Sequence, residues 1–173
     1  RRQRQMCIRD RFKIRLSQGG PGDWETLRSQ SRLGRALAAR GRVDESSQVL
    51  SDALQVAESS LGTDSPMSVE LLNNAALTRW AAADTEGGIR LLEKAIARER
   101  RSADASPRLG VLLNNLGALL WDARDVELAD EAFEESLRLL PVGGVIQSVA
   151  SELEGFSRAV FSKWGRPDTA SQT

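Results

Sequence analysis

Apolar residues recur along this chain every three or four positions, in runs that come in pairs. In the last pair Leu113, Leu116 and Leu120, then Leu128, Ala132, Phe133 and Leu137, form two stripes on either side of Ala123-Arg124-Asp125. That spacing gives each run one apolar helical face, and so short a break between them predicts a helical hairpin. The break in the first pair is Arg40-Gly41-Arg42, where Gly41 suits the end of one helix, and Asp44 and Glu45 fall in the first turn of the next. In the middle pair Asp84 is placed as an N-cap, which starts the second helix near Thr85.

The pairs are versions of one another. Leu113-Asn114-Asn115-Leu116-Gly117 matches Leu72-Asn73-Asn74-Ala75-Ala76 at an offset of 41, Trp121 matches Trp80 at the same offset, and Gln30-Ser31-Arg32-Leu33-Gly34 lies 42 residues further back. The links repeat too: Leu61-Gly62-Thr63-Asp64-Ser65-Pro66 and Arg101-Ser102-Ala103-Asp104-Ala105-Ser106-Pro107 both end in Ser-Pro, with proline placed to open a helix. A period in this range marks a stacked solenoid, in which each unit buries its apolar face only against its neighbours.

The third unit reads Leu113-x2-Leu116-Gly117-x2-Leu120, Ala129-x3-Phe133, Pro141, and so resembles the tetratricopeptide repeat. Three sets of equivalent positions are small in every unit: Gly34, Ala76, Gly117; Ser46, Gly88, Ala129; Ala53, Ala95, Ser136. Small residues there let helices approach closely. The longer period, the Leu-Asn-Asn opening and the Leu-Gly-x-Asp-x-Pro link resemble the kinesin-light-chain type of the repeat, a variant widespread in large bacterial signalling proteins. The resemblance implies an all-α, right-handed superhelical solenoid with three hairpins over about 23–61, 66–101 and 107–140. Two departures stand out. Arg79 occupies a position where the family has a buried aromatic or Leu, and the pair Gly87-Gly88 lies in a helix, at a cost of about 1–2 kcal/mol relative to alanine, so that the second unit is expected to be the loosest.

Beyond Pro141-Val142-Gly143-Gly144, residues Ile146, Val149, Leu153, Phe156, Val160 and Trp164 sit three or four apart. They predict a capping helix over 145–164 that covers the open end of the core, followed by a disordered tail over 165–173. At the other end, residues 1–11 read as a translated transposase sequencing adapter, whose codons CGT CGG CAG CGT CAG ATG TGT ATA AGA GAC spell Arg1 to Asp10. The segment belongs with fusion scars and is expected to make no core contacts. Residues 12–22 then read as the end of a truncated earlier repeat and its linker.

Composition fits this picture once that segment is set aside. Hydrophobic residues at 40% and charged residues at 28% are those of a globular protein. Without Arg1, Arg2, Arg4, Arg9, Arg11 and Asp10 the remainder is mildly acidic, which argues against general attraction to nucleic acid or anionic lipid. Cys7 is the single cysteine and there is no histidine. No thiol nucleophile, metal site or cofactor is expected, and no phosphate-binding glycine loop or nucleophile elbow is present. The chain is therefore expected to be a non-enzymatic, cytoplasmic protein, with no nucleic-acid or membrane partner.

Binding is the remaining class of function. On a helical wheel, the face of each first helix opposite the core carries Arg28, Ser31, Arg32, Arg35 and Ala39; Glu70, Asn73, Asn74, Leu77 and Ala81; and Val111, Asn114, Asn115, Ala118 and Asp122. The family resemblance implies that this face lines a concave groove. Asn74 and Asn115 could hold a peptide backbone through amides that both donate and accept. The same amides could instead bond neighbouring helices. Arg28, Arg32 and Arg35 share one helix face, which is either simply solvated or suited to an acidic segment. Trp80 and Trp121 are expected to pack between adjacent first helices, and Trp24 and Trp164 to cap the ends. The expected function is a scaffold that binds a peptide or partner segment in the groove. The alternative is a regulatory or oligomerisation module of a larger kinase, protease or transcription regulator.

Overall fold

The computed structural model describes residues 10, 13, 14, 16, 17, 19–101 and 107–140. The expectations placed on the adapter-like segment (apart from Asp10), on the capping helix over 145–164 and on the tail over 165–173 lie outside the described residues. Among those described there is no strand, and six helices are complete: α1 (Trp24–Ala38), α2 (Val43–Leu61), α3 (Pro66–Ala81), α4 (Thr85–Glu99), α5 (Pro107–Asp122) and α6 (Val126–Leu139). They pack in sequence as three hairpins, α1 on α2, α3 on α4 and α5 on α6. Lys13, Ile14, Leu16, Ser17 and Gly19 are helical as well.

Local chemistry sets the helix ends. Asp23 accepts from the Thr26 amide at 3.1 Å, Ser65 from Ser68 at 3.2 Å and Asp84 from Gly87 at 2.9 Å, each taking up a donor that the first turn leaves free. All three hairpin turns close alike. Arg42 N–H donates to Leu37 O, Asp84 N–H to Arg79 O and Asp125 N–H to Leu120 O, each at 3.0 Å. This closure needs a left-handed residue just after the helix, and Gly41, Ala83 and Arg124 take it with φ of 72°, 62° and 68°. Only Gly41 adopts that conformation without a steric penalty. Replacing Arg124 with glycine is expected to raise stability by about 0.5–1 kcal/mol after glycine's entropic cost is subtracted. A urea midpoint that stays put or falls would show that the Arg124 side chain contributes more than its backbone strain costs.

The core does not belong to any one hairpin. Leu27, Leu50, Ala53 and Ala57 of the first are buried with Met67 and Leu71 of the second. Leu72, Trp80, Leu92 and Ile96 of the second are buried with Leu109, Leu112 and Leu119 of the third. The first and second hairpins thus each complete their core with residues of the next, as in a solenoid.

The nine small positions are all buried, and the close contacts explain why. A Cβ on Gly34 would lie 2.5 Å from Leu50, and one on Gly117 would lie 2.7 Å from Phe133. A Cβ on Gly88 would lie 2.6 Å from Leu119 and 3.0 Å from the Ala76 carbonyl oxygen. Gly88 therefore has a packing reason in the first turn of α4, where three helices approach closely, and a Cβ on Gly87 would meet the Asp84 carboxylate that caps the helix. Arg79 departs from the family's buried position. Its side chain stays exposed and pairs with Asp84 at 3.1 Å.

One feature of the fold has no local signature in the sequence. At the end of α4 four consecutive residues reach different hairpins. Arg98 is buried and pairs with Glu58 of α2 at 2.7 Å while donating to the Thr63 carbonyl at 2.9 Å. Arg101 pairs with Asp64 at 2.6 Å, and its hydrogen bond holds the Asp64 carboxyl below the usual carboxylate range. Glu99, buried, takes Arg108 of α5 at 3.1 Å, and Arg100 takes Glu135 of α6 at 2.8 Å. The Gly-Thr-Asp-Ser-Pro link is thus held at its carbonyl, its carboxylate and its N-cap.

Candidate functional site

The first helices α1, α3 and α5 lie side by side and touch directly, whereas consecutive second helices hardly meet. The row of first helices is therefore the more closely packed of the two. Side-chain hydrogen bonds stitch them together. Ser31 Oγ of α1 donates to Glu70 Oε1 of α3 at 2.6 Å, and Asn74 Nδ2 of α3 donates back to Ser31 Oγ at 2.9 Å. Asn115 Nδ2 of α5 donates to Asn73 Oδ1 of α3 at 2.8 Å. Further along, Trp80 Nε1 and Thr85 Oγ1 both donate to Asp122 Oδ2, at 3.0 and 3.1 Å.

These bonds divide the expected groove residues into two groups. Ser31, Asn74, Leu77 and Asn115 are buried and form the floor between helices. Asn74 and Asn115 use their amide donors on neighbouring first helices, which is the second of the two roles open to them from sequence. Arg28, Arg32 and Asn114 are exposed, and Arg35, Glu70, Asn73, Ala118 and Asp122 are half-buried. Arg28 approaches Glu25 at 3.7 Å on its own helix, a contact between exposed groups that contributes little. The floor is cross-linked by hydrogen bonds between helices, and the rim is basic on α1 and neutral at Asn114 of α5.

The two tryptophans part company. Trp80 is buried between α3 and α5, as the periodic match requires, whereas Trp121 is 57% exposed. The expectation that both pack between first helices is corrected for Trp121, because no further first helix follows α5 among the described residues. Trp24, at the start of α1, is 42% exposed. The sequence reading places Asp122 on the face opposite the core without identifying it as the acceptor for the Trp80 indole; its position next to Trp121, the repeat counterpart of Trp80, is the signal that could have found it. Among the described residues no group of His, Cys, Asp and Glu is arranged to hold a metal ion, and no helix is long and apolar enough to cross a membrane.

Comparisons with known proteins agree with the fold. Residues 25–101 match the tetratricopeptide repeat family. The crystal structure of BtubC (BKLC) from P. vanneervenii superposes with a TM-score of 0.69 at 16% identity, over 98% of this chain and 61% of that one. The present chain thus spans about three fifths of that protein's length. Nearly identical TPR-like repeats from Podosopora anserina, in a protein described as a kinesin light chain, superpose with a TM-score of 0.67 at 18% identity, over 96% of this chain and 89% of that one. At such identities the likeness is one of fold. No curated protein matches the sequence.

Proposed function

We propose that this chain, whose residues 25–101 match the tetratricopeptide repeat family, binds a protein segment, extended or helical, along a concave inner face formed by α1, α3 and α5. Repeat domains of this kind are in general protein–protein interaction modules. The observation that carries the proposal is the stitched floor: Ser31, Glu70, Asn73, Asn74, Trp80, Asp122 and Asn115 fix the three helices relative to one another before any partner arrives. A surface held in one shape loses less conformational freedom on binding, which favours affinity. Arg28, Arg32 and Asn114 then stand on the rim as the groups free to reach a ligand, with the two guanidiniums suited to carboxylates.

A displayed library of random peptides, selected on the whole chain, tests this. Peptides enriched by the native protein are expected to bind the triple variant Arg28→Glu, Arg32→Glu, Asn114→Ala at least tenfold more weakly, a loss of about 1.4 kcal/mol. For acidic peptides the difference should shrink as salt is raised. Equal binding by a variant with native circular dichroism would move the binding surface to the outer helices or the chain ends.

A further inference from the structure

Two carboxylates in the row of first helices are anchored at one oxygen only. Glu70 Oε1 of α3 accepts from Ser31 Oγ at 2.6 Å, and Asp122 Oδ2 of α5 accepts from Trp80 Nε1 and Thr85 Oγ1 at 3.0 and 3.1 Å. Among the described residues Glu70 Oε2 and Asp122 Oδ1 accept no hydrogen bond, and neither carboxylate makes an ion pair. Glu58, Glu99 and Glu135 are likewise withdrawn from solvent, yet each of them has an arginine partner. Since both oxygens of a carboxylate are acceptors, Glu70 and Asp122 each keep one to offer a donor from outside.

Register fixes how far apart these two acceptors stand. Asn73 meets Asn115 and Trp80 meets Asp122, two contacts with the same offset of 42, so α3 and α5 run parallel. Glu70 lies three residues before Asn73, and Asp122 lies seven beyond Asn115. Those ten residues of helix rise about 15 Å, and with neighbouring axes about 9 Å apart the two positions are separated by about 18 Å. One cation cannot serve both, whereas about five residues of extended chain span the distance. On α1 the sign is reversed, with Arg28 and Arg32 exposed. A uniformly acidic segment would be repelled over α3 and α5, and a uniformly basic one over α1.

Resting on the inner-face reading above, we propose that the partner is a dipolar segment. It places two lysine or arginine side chains, about five residues apart, on Glu70 and Asp122, and a carboxylate on Arg28 and Arg32. The open oxygen of each anchored carboxylate accepts from the cation. Ser31, Trp80 and Thr85 already hold the two groups, so little side-chain freedom is lost when the segment arrives.

The displayed peptide library selected on the whole chain, read together with hydrogen exchange of the complexes, separates this inference from the reading it rests on. Peptides that slow exchange in α1, α3 and α5 are expected to carry two Lys or Arg residues about five positions apart. The double variant Glu70→Gln, Asp122→Asn keeps a carbonyl oxygen for Ser31, Trp80 and Thr85 and removes only the charges. It should bind those peptides roughly tenfold more weakly, a difference that shrinks as salt is raised. Replacing one lysine of a selected peptide with norleucine leaves the protein unaltered; the change should weaken binding to the native chain and have little effect on binding to the double variant. Peptides that protect the first helices yet lack the pair of cations, or bind the double variant as tightly as the native chain, would overturn the dipolar partner and leave the inner-face reading intact. Failure to enrich any peptide, or protection confined to α2, α4 and α6, would overturn both.

Discussion

Leu119→Ala is expected to cost about 2–5 kcal/mol, the range for truncating a fully buried leucine into a cavity that its surroundings fill only in part. Leu119 is 0% exposed and lies where α5 meets α4, its Cδ2 against the Gly88 backbone, so the substitution removes contacts between hairpins as well as within one. Stability in a solenoid is nearly a sum of unit and interface terms. The loss should therefore appear first as separation of the third hairpin, with α1 to α3 still helical at intermediate urea. Far-ultraviolet circular dichroism combined with hydrogen exchange by segment would read both. A single unshifted transition would mean that the junction does not depend on this side chain.

Gly88→Val should have an effect of similar size and opposite origin. A first side-chain carbon at Gly88 would approach Leu119 at 2.6 Å, where a flexible methyl can turn away, and the Ala76 carbonyl oxygen at 3.0 Å, where backbone must shift. Overpacking of this kind typically costs about 1–3 kcal/mol. Valine's branched carbon adds atoms at the tightest point, so the upper end of that range is expected. Helix propensity works the other way, since replacing glycine inside a helix gains up to about 1 kcal/mol. The sign of the measured change thus decides whether close approach or propensity governs the position. A urea midpoint at or above the native value would show that α4 can move away from α3 without penalty.

The fold was legible because its signals are periodic and local. Nine small positions at fixed offsets, Gly41 after α1, Asp84 before α4 and the Ser-Pro link before α3 each have one physical reason, and the structure uses them as that reason requires. Ala83 and Arg124 adopt the same left-handed turn as Gly41 without any residue preference to announce it; the closure is imposed by the packed hairpin. Arg98-Glu99-Arg100-Arg101 looks like an ordinary charged helix end, and its partners Glu58, Asp64, Arg108 and Glu135 belong to other elements of the stack, beyond what helix spacing can indicate. The candidate site was half legible. The wheel grouped these residues on one face of the first helices, yet it treated Asn74 and Asn115 alike with Asn114, whereas the first two are buried in bonds between helices and Asn114 is exposed. A wheel has no means of separating a side chain at the edge of a stripe from one beyond it, because the neighbouring helix that buries it is absent from the pattern.

The most direct measurement of the central claim is a hydrogen-exchange footprint of a library-selected peptide on the intact chain. Binding along the stitched inner face predicts slowed exchange in α1, α3 and α5, centred on the segments that carry Arg28, Arg32 and Asn114, with α2, α4 and α6 little changed. A footprint confined to the second helices, with the first helices exchanging as in the free protein, would contradict the account.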